Sequence, residues 1–288
     1  MSITKHSTQN LSALKKLNKI LATLLALNCI LGICLLWLNR PIKPTISFLD
    51  VGQGDCILIN TKNQQQILID GGPDNAVLNK LSNILLPYDR HIELMILTHP
   101  HEDHITGLFF VFENYHIDKL LIPKISDSNS LMENLISLAK NQNTEIFYGY
   151  FPQKILFDKY SLNILYPFNQ NPPLVNDLND NSLVLLLNKT TEDKKILLTG
   201  DISKNIEISL TKKYQQDINV DILKIAHHGS ESATSNSFIE TTSPDIAIIS
   251  CGQNNRFNHP SQKTINLLNQ KNIQILQTST NKDIIFPL

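Results

Sequence analysis

One run of six residues constrains this chain more than anything else in it. The apolar stretch ELMILT, residues 93–98, ends directly in His99-Pro100-His101-Glu102-Asp103-His104, and the helix-like stretch ITGLFFVF follows at once. Three imidazoles beside a carboxylate, at the point where a buried strand leaves its sheet, form a dense set of metal donors. Alternation lets His99 and His101 point one way, and the turn into the helix aims Asp103 and His104 at a second, adjacent ion. The plain alternative is a solvated histidine-rich turn without a role.

Two other strand ends carry comparable chemistry. ILLTG is followed by Asp201, and DILKIA by His227-His228-Gly229-Ser230. Loops at the carboxyl ends of strands are where open α/β sheets build their sites, so a two-metal centre bridged by Asp201 is the expected assembly. Read alone, Asp201 is equally a helix N-cap.

Short apolar runs at 46–51, 56–60, 66–70, 93–98, 119–123, 145–148, 161–166, 182–188, 194–199, 221–226 and 245–250 read as strands. Amphipathic stretches at 75–86, 104–115, 129–141, 203–214, 236–241 and 261–270 read as helices, and His116 is assigned to helix as well. Such alternation predicts an α/β fold with buried sheet and helices on its outer faces. Residues 169–181, NQNPPLVNDLNDN, read as a loop.

Several spaced motifs then agree in order. H-x-H-x-D-H, a later strand-end Asp and a still later His resemble the signature of the metallo-β-lactamase superfamily. FLDVGQGD (48–55), ILIDGG (67–72), LTHPHEDHITGL (97–108), NSLVLLL (181–187), ILLTGD (196–201) and LKIAHHGS (223–230) are similar to the extracellular hydrolase domain of the ComEC family of competence DNA-uptake proteins. The resemblance covers nearly all of 45–288 and implies the αβ/βα sandwich of that superfamily. It does not include the many-span channel that ComEC proteins also carry, so a separate channel protein is an expected partner.

Carried across by position, the resemblance implies that His99 and His101 bind the first metal and Asp103 and His104 the second. Asp201 bridges, and His227 closes the site, with His228 as the alternative. The expected ions are two Zn2+, with Mn2+ as the other choice. Asp70 matches a strand-end Asp that orients a ligand histidine. The superfamily's further histidine between His104 and Asp201 has no counterpart here except His116; Asn181, or its neighbours Asn179 and Asp180, stands in the matching place. Asp50 and Asp55 shape the site or simply form a turn, Ser230 belongs to the HHGS motif, and His259 of RFNHP is a substrate-binding candidate. His228 or His259 is the expected proton donor to a leaving oxygen, and Asp103 is expected to be indispensable. Cys56 and Cys251 read as buried thiols.

Residues 20–38, ILATLLALNCILGICLLWL, carry no charge over 19 positions, about 28 Å of helix, which is enough to cross a bilayer. A signal peptide fits less well, because the apolar run is long and no A-x-A-like site follows it. The formal net charge of −1 divides unevenly: residues 1–40 hold five basic groups and no acid, which leaves 20 basic against 26 acidic residues beyond them, a balance of −6. Four lysines precede the span, and the positive-inside bias places the N-terminus in the cytoplasm. The expected layout is a cytoplasmic segment 1–19, a single-pass inner-membrane anchor 20–38, a linker 39–44 stiffened by Pro41 and Pro44, and a hydrolase domain 45–288 outside or in the periplasm.

The expected function is a metal-dependent phosphodiesterase, a DNA nuclease linked to uptake. An acidic body argues against broad phosphate neutralisation as the binding mode. Two other readings therefore stand beside it: hydrolysis of a small or cell-surface phosphodiester such as a choline-phosphate, and a non-catalytic DNA-uptake accessory protein.

Overall fold

A computed structural model describes residues 3–38, 43–63, 65–125, 128–171, 177–189 and 194–288. The chain divides into two compact units, Met1–Ile42 and Lys43–Leu288. The described residues of the first form one helix, α1 (Ile3–Leu38). Its segment Lys15–Cys34 has a mean hydropathy of 1.8 and no buried residue, and is long and apolar enough to cross a membrane. The helix includes most of the expected N-terminal segment 1–19. In the proposed linker, 39–42 lie outside the described residues, as do 172–176 of the expected loop.

In the second unit, strands β1 (Thr45–Phe48), β2 (Ile57–Asn60), β3 (Gln66–Ile69), β4 (His91–Ile96), β5 (His116–Pro123) and β6 (Glu145–Gly149) come with helices α2 (Ala76–Ile84), α3 (Glu102–Asn114) and α4 (Ser130–Asn141). Next come β7 (Lys154–Phe157), β8 (Tyr160–Tyr166), β9 (Val184–Lys189), β10 (Lys195–Leu198), β11 (Ile222–Lys224), β12 (Ile246–Ile249), β13 (Gln274–Gln277) and β14 (Ile284–Pro287). Helices α5 (Lys204–Tyr214), α6 (Asn236–Thr242), α7 (Gln262–Gln270) and the short α8 (Thr278–Asn281) complete the unit.

Two sheets form, in the orders β14-β1-β2-β3-β4-β5-β6 and β13-β12-β11-β10-β9-β8-β7. Each is antiparallel over one part and parallel over the rest: β3 to β6 run parallel in the first, β10 to β13 in the second. Ile46, Ile69, Ile96, Leu162, Leu185, Leu198 and Ile248 pack between the sheets. Val77, Leu108, Val111 and Leu135 cover the outer face of the first sheet, and Leu210, Phe238, Ile239 and Leu268 that of the second. Strands buried on both faces must be apolar throughout, which is why the central ones stand out in the sequence.

The strands without a sequence signal are β7, β13 and β14, and each is a sheet edge. An edge strand such as QILQ buries little and carries no continuous apolar run. The assignment of His116 to helix is also corrected: α3 ends at Asn114, and His116 opens β5 as the register partner of His91.

Candidate metal centre

The parallel halves of both sheets deliver their carboxyl ends to one edge of the sandwich. Asp70 follows β3, His99 follows β4, Asp201 follows β10, and His227 and His228 follow β11. The close seating of α3 depends on two glycines. A Cβ on Gly107 would collide with the carbonyl of Gly71, and the backbone N–H of Gly71 donates to the His104 carbonyl at 2.8 Å. The ILIDGG motif therefore lets the helix carrying His104 lie against the exit of β3.

Asp70 is fully buried and acts as the hub of this exit. It accepts hydrogen bonds from the Thr98 N–H (2.7 Å), the Thr98 hydroxyl (2.7 Å) and His104 Nδ1 (2.8 Å). Holding the proton on Nδ1 turns the Nε2 lone pair of His104 outward, 3.2 Å from Asp201 Oδ2. His228 is fixed in the same manner: its Nδ1 donates to the Ser250 carbonyl at 2.9 Å, and its Nε2 lies 3.1 Å from Asp103 Oδ2 and 3.2 Å from Asp201 Oδ2. Asp103, His104, His228 and Asp201 thus converge on one point.

A second convergence lies beside it. His99 Nδ1 meets the Thr98 hydroxyl at 3.1 Å, while its Nε2 faces His101 Nδ1 at 3.2 Å and Asp201 Oδ2 at 4.0 Å. His101 Nδ1 in turn faces Asn179 Oδ1 at 2.9 Å, the Asn179 amide nitrogen being turned to Asp177. Two imidazole nitrogens and an amide oxygen crowd one space that a single proton cannot satisfy. Such a donor set fits a cation, with Asp201 between the two groups.

Charge agrees with this fit. Burial would raise Asp103 and Asp201, yet the neighbouring imidazoles hold both below the usual carboxylate range. Burial would lower His104 and His228, yet the facing carboxylates, Asp201 foremost, push both well above the ordinary histidine value. His99 is driven well below it by burial and by the His104 charge. Carboxylates packed at this density require positive charge, whether from protons or from metal ions.

Several expected residues take other places. His227 and His228 both adopt left-handed backbone, φ 49° and 53°, uncommon for residues with a side chain. The turn sends His228 into the cluster and leaves His227 at the cavity, with Nδ1 3.4 Å from the Ser232 hydroxyl. His228 therefore replaces His227 as the convergent residue. In the 3-10 turn Leu178–Asn181, Asn179 rather than Asn181 meets the histidines. Asp50 is drawn away: its N–H donates to Asp283 at 2.8 Å, and Lys282 lies 3.7 Å from its carboxylate. The Ser230 hydroxyl pairs with that of Ser232 at 3.0 Å, inside the turn.

Asp55 does reach the centre, directly at 3.5 Å from His228 Nδ1 and also through a residue not singled out by sequence. Lys224 is completely buried on β11, and its ammonium contacts Asp55, Asp201 (3.4 Å) and the Gly200 carbonyl (2.9 Å). Burial opposes its charge, but Asp55 and Asp201 more than compensate and raise its pKa. A lysine interrupting the apolar run DILKIA is the signal that marks it, because a charge there must be paired.

The convergent side chains open into a cavity of about 1200 Å3 bordered by Phe109, Leu131, Arg256, Phe257 and His259. Arg256 lies over the Phe257 ring at 4.7 Å, and Phe257 stacks on His259 at 5.6 Å. His259 Nδ1 is buried without a partner among the described residues. Burial, then the charges of His228 and His227, bring its pKa down to about 4, so it is neutral near pH 7. A neutral His259 still has one ring N–H to donate, while Nε2 of His228 is directed at Asp103 and Asp201.

The sequence matches the Metallo-beta-lactamase superfamily over residues 49–130. It is 29% identical over 256 residues to ComE operon protein 3 of Bacillus subtilis, covering 83% of this chain and 32% of that protein. It is 23% identical to Competence protein ComA of Neisseria gonorrhoeae (85% and 32%) and 26% identical to Recombination protein 2 of Haemophilus influenzae (90% and 31%). The chain thus spans about a third of the length of these relatives. Among solved structures, the metallo-beta-lactamase fold protein YhfI of Bacillus subtilis superposes with a TM-score of 0.56 at 12% identity, covering 84% of this chain and 99% of that one. CmlA, a diiron beta-hydroxylase from Streptomyces venezuelae, gives 0.56 at 13%, covering 86% and 55%. Fold, motif order and relatives agree: the chain matches the metallo-β-lactamase superfamily over residues 49–130, has a fold similar to that of a metallo-beta-lactamase fold protein, and resembles the hydrolase domain of ComEC-type competence proteins.

Proposed function

We propose that this chain is a membrane-anchored, two-metal phosphodiesterase that faces outward and cleaves DNA during uptake. The reading rests above all on the two adjoining donor sets at the floor of a cavity whose rim carries a cation and an aromatic ring. His99, His101 and Asn179 would hold one ion, Asp103, His104 and His228 the other, and Asp201 both. Zn2+ suits the imidazole and carboxylate donors, with Mn2+ the alternative. When bound, such ions supply Lewis acidity and lower the pKa of an attacking water.

The chain's own groups supply orientation. Asp70 and the Ser250 carbonyl lock the tautomers of His104 and His228, and Thr98 does so for His99. Lys224 offsets the charge of Asp55 and Asp201 from beneath. Arg256 suits a phosphate, the exposed Phe257 suits a nucleobase, and neutral His259 can hydrogen-bond to substrate without carrying charge. The basic residues before the apolar segment orient the anchor with the N-terminus inside.

The test uses the full chain in detergent, with metal content measured alongside hydrolysis of an aryl phosphodiester, single-stranded DNA and choline-phosphate esters. Metal-dependent cleavage of DNA in preference to the choline esters is expected. The reverse preference would transfer the site to small or cell-surface phosphodiesters, and DNA binding without turnover would make the chain an accessory protein.

A further inference from the structure

A second group of metal donors stands at the amino end of β4, the strand that leads to His99, and of its neighbour β5. His91 opens β4 and His116 opens β5, and parallel pairing sets the two side by side. Their rings stack at 5.5 Å with 14° between planes. Both Nε2 atoms address the same oxygen, Asp118 Oδ1, at 2.7 Å from His91 and 3.5 Å from His116. The three donor atoms lie within 4.8 Å of one another. In a tetrahedral zinc site with bonds of about 2.0–2.1 Å, neighbouring ligands lie about 3.3 Å apart. The observed spacings bracket that value.

The surroundings support a ligand role as well. The outer nitrogen of His91, Nδ1, faces Glu93 Oε1 at 3.4 Å, and Glu93 is itself fixed by the Gln66 N–H at 2.5 Å. A carboxylate on the outer nitrogen holds the proton there and leaves the Nε2 lone pair for an ion. Asp89 accepts the His91 N–H at 3.3 Å and the Gln66 side-chain amide at 2.8 Å, adding a third carboxylate. Arg90, the adjoining cation, is engaged with the Tyr115 hydroxyl at 2.9 Å. A hydrogen bond to Asp118 accounts for one imidazole, but not for two stacked imidazoles converging on one oxygen amid further carboxylates.

We propose that His91, His116 and Asp118 bind a divalent first-row transition ion, Zn2+ by preference, with water completing the coordination. Eight residues of extended chain separate His91 from His99, roughly 25 Å, so this ion is independent of the candidate centre. It clamps the starts of β4 and β5 and stabilises the fold by mass action.

The full chain in detergent, stripped by chelator and titrated with Zn2+, tests this through bound metal per chain and the zinc-dependent rise in Tm. His116→Ala and Asp118→Asn should each bind one equivalent fewer than wild type and lose part of the Tm rise. Asp118→Asn keeps the side-chain shape, so its loss reports ligand charge rather than misfolding, and circular dichroism of both variants should match wild type. Unchanged stoichiometry in both variants overturns the proposal.

Discussion

The two ends of β4 lie beside the same donor types in opposite settings. At the carboxyl end, His99, His104, His228 and Asp201 are buried, and each imidazole has its outer nitrogen occupied by a fixed partner. At the amino end, the side chains of His91, His116 and Asp118 are 41%, 61% and 41% exposed. Water can solvate the second group whether or not an ion is present. The first cannot be left unpaired, because buried carboxylates and imidazoles tolerate charge only when it is balanced. Burial turns a cluster of ligands into an arrangement that must hold its geometry in advance.

That contrast can be tested in order of expected effect. Replacing Asp103 by Asn removes the partly exposed carboxylate that faces His228, and turnover of an aryl phosphodiester should fall roughly a thousand-fold or more. Equal activity in wild type and variant would remove the buried cluster from the chemistry. Lys224→Met strands Asp55 and Asp201 without their cation, and denaturant titration of the metal-free chain should register a loss of about 3–5 kcal/mol. The exposed pair Lys263–Glu231, both side chains 67% accessible, serves as the control, and Lys263→Met should change stability by no more than about 0.5 kcal/mol.

Glu207 differs from the carboxylates of the cluster in being buried with backbone donors instead of imidazoles. It accepts from the N–H groups of Thr234 and Ser235 at 2.8 and 2.6 Å, and burial raises its pKa from 4.5 to about 7. The folded state then binds a proton more tightly than the unfolded chain, so stability declines as pH rises from 4.5 towards 7. Measured against wild type, Glu207→Gln should gain up to about 2–3 kcal/mol across that window, whatever its offset at low pH. A flat difference would show that the carboxylate is already ionised when buried.

Asp70→Asn should weaken metal binding at the buried cluster by about 10–100-fold in a chelator competition, since it releases the His104 tautomer. The smallest effect belongs to the exposed end, where His116→Ala should leave turnover within about twofold because distant sites act independently.

Much of this was legible from local pattern. HPHEDH after an apolar strand, Asp201 at a strand end and the ILIDGG glycines are short-range features, and burial on two faces makes central strands apolar throughout. The edge strands β7, β13 and β14 gave no such signal, because they bury too little. Lys224 was visible as a charge inside an apolar run, but its partner Asp55 comes from a distant loop.

Local pattern set the donor inventory, the strand-end placement of Asp70, His99, Asp201 and the His227-His228 pair, and the apolar segment ahead of the domain. Which donors meet depends on how distant segments pack. A left-handed turn selected His228 over His227, a 3-10 turn selected Asn179 over Asn181, and Asp283, 233 residues along the chain, drew Asp50 from the site. Adjacent residues share nearly the same local pattern, and what separates them is the direction of one side chain, set by packing and hydrogen bonds from remote parts of the chain.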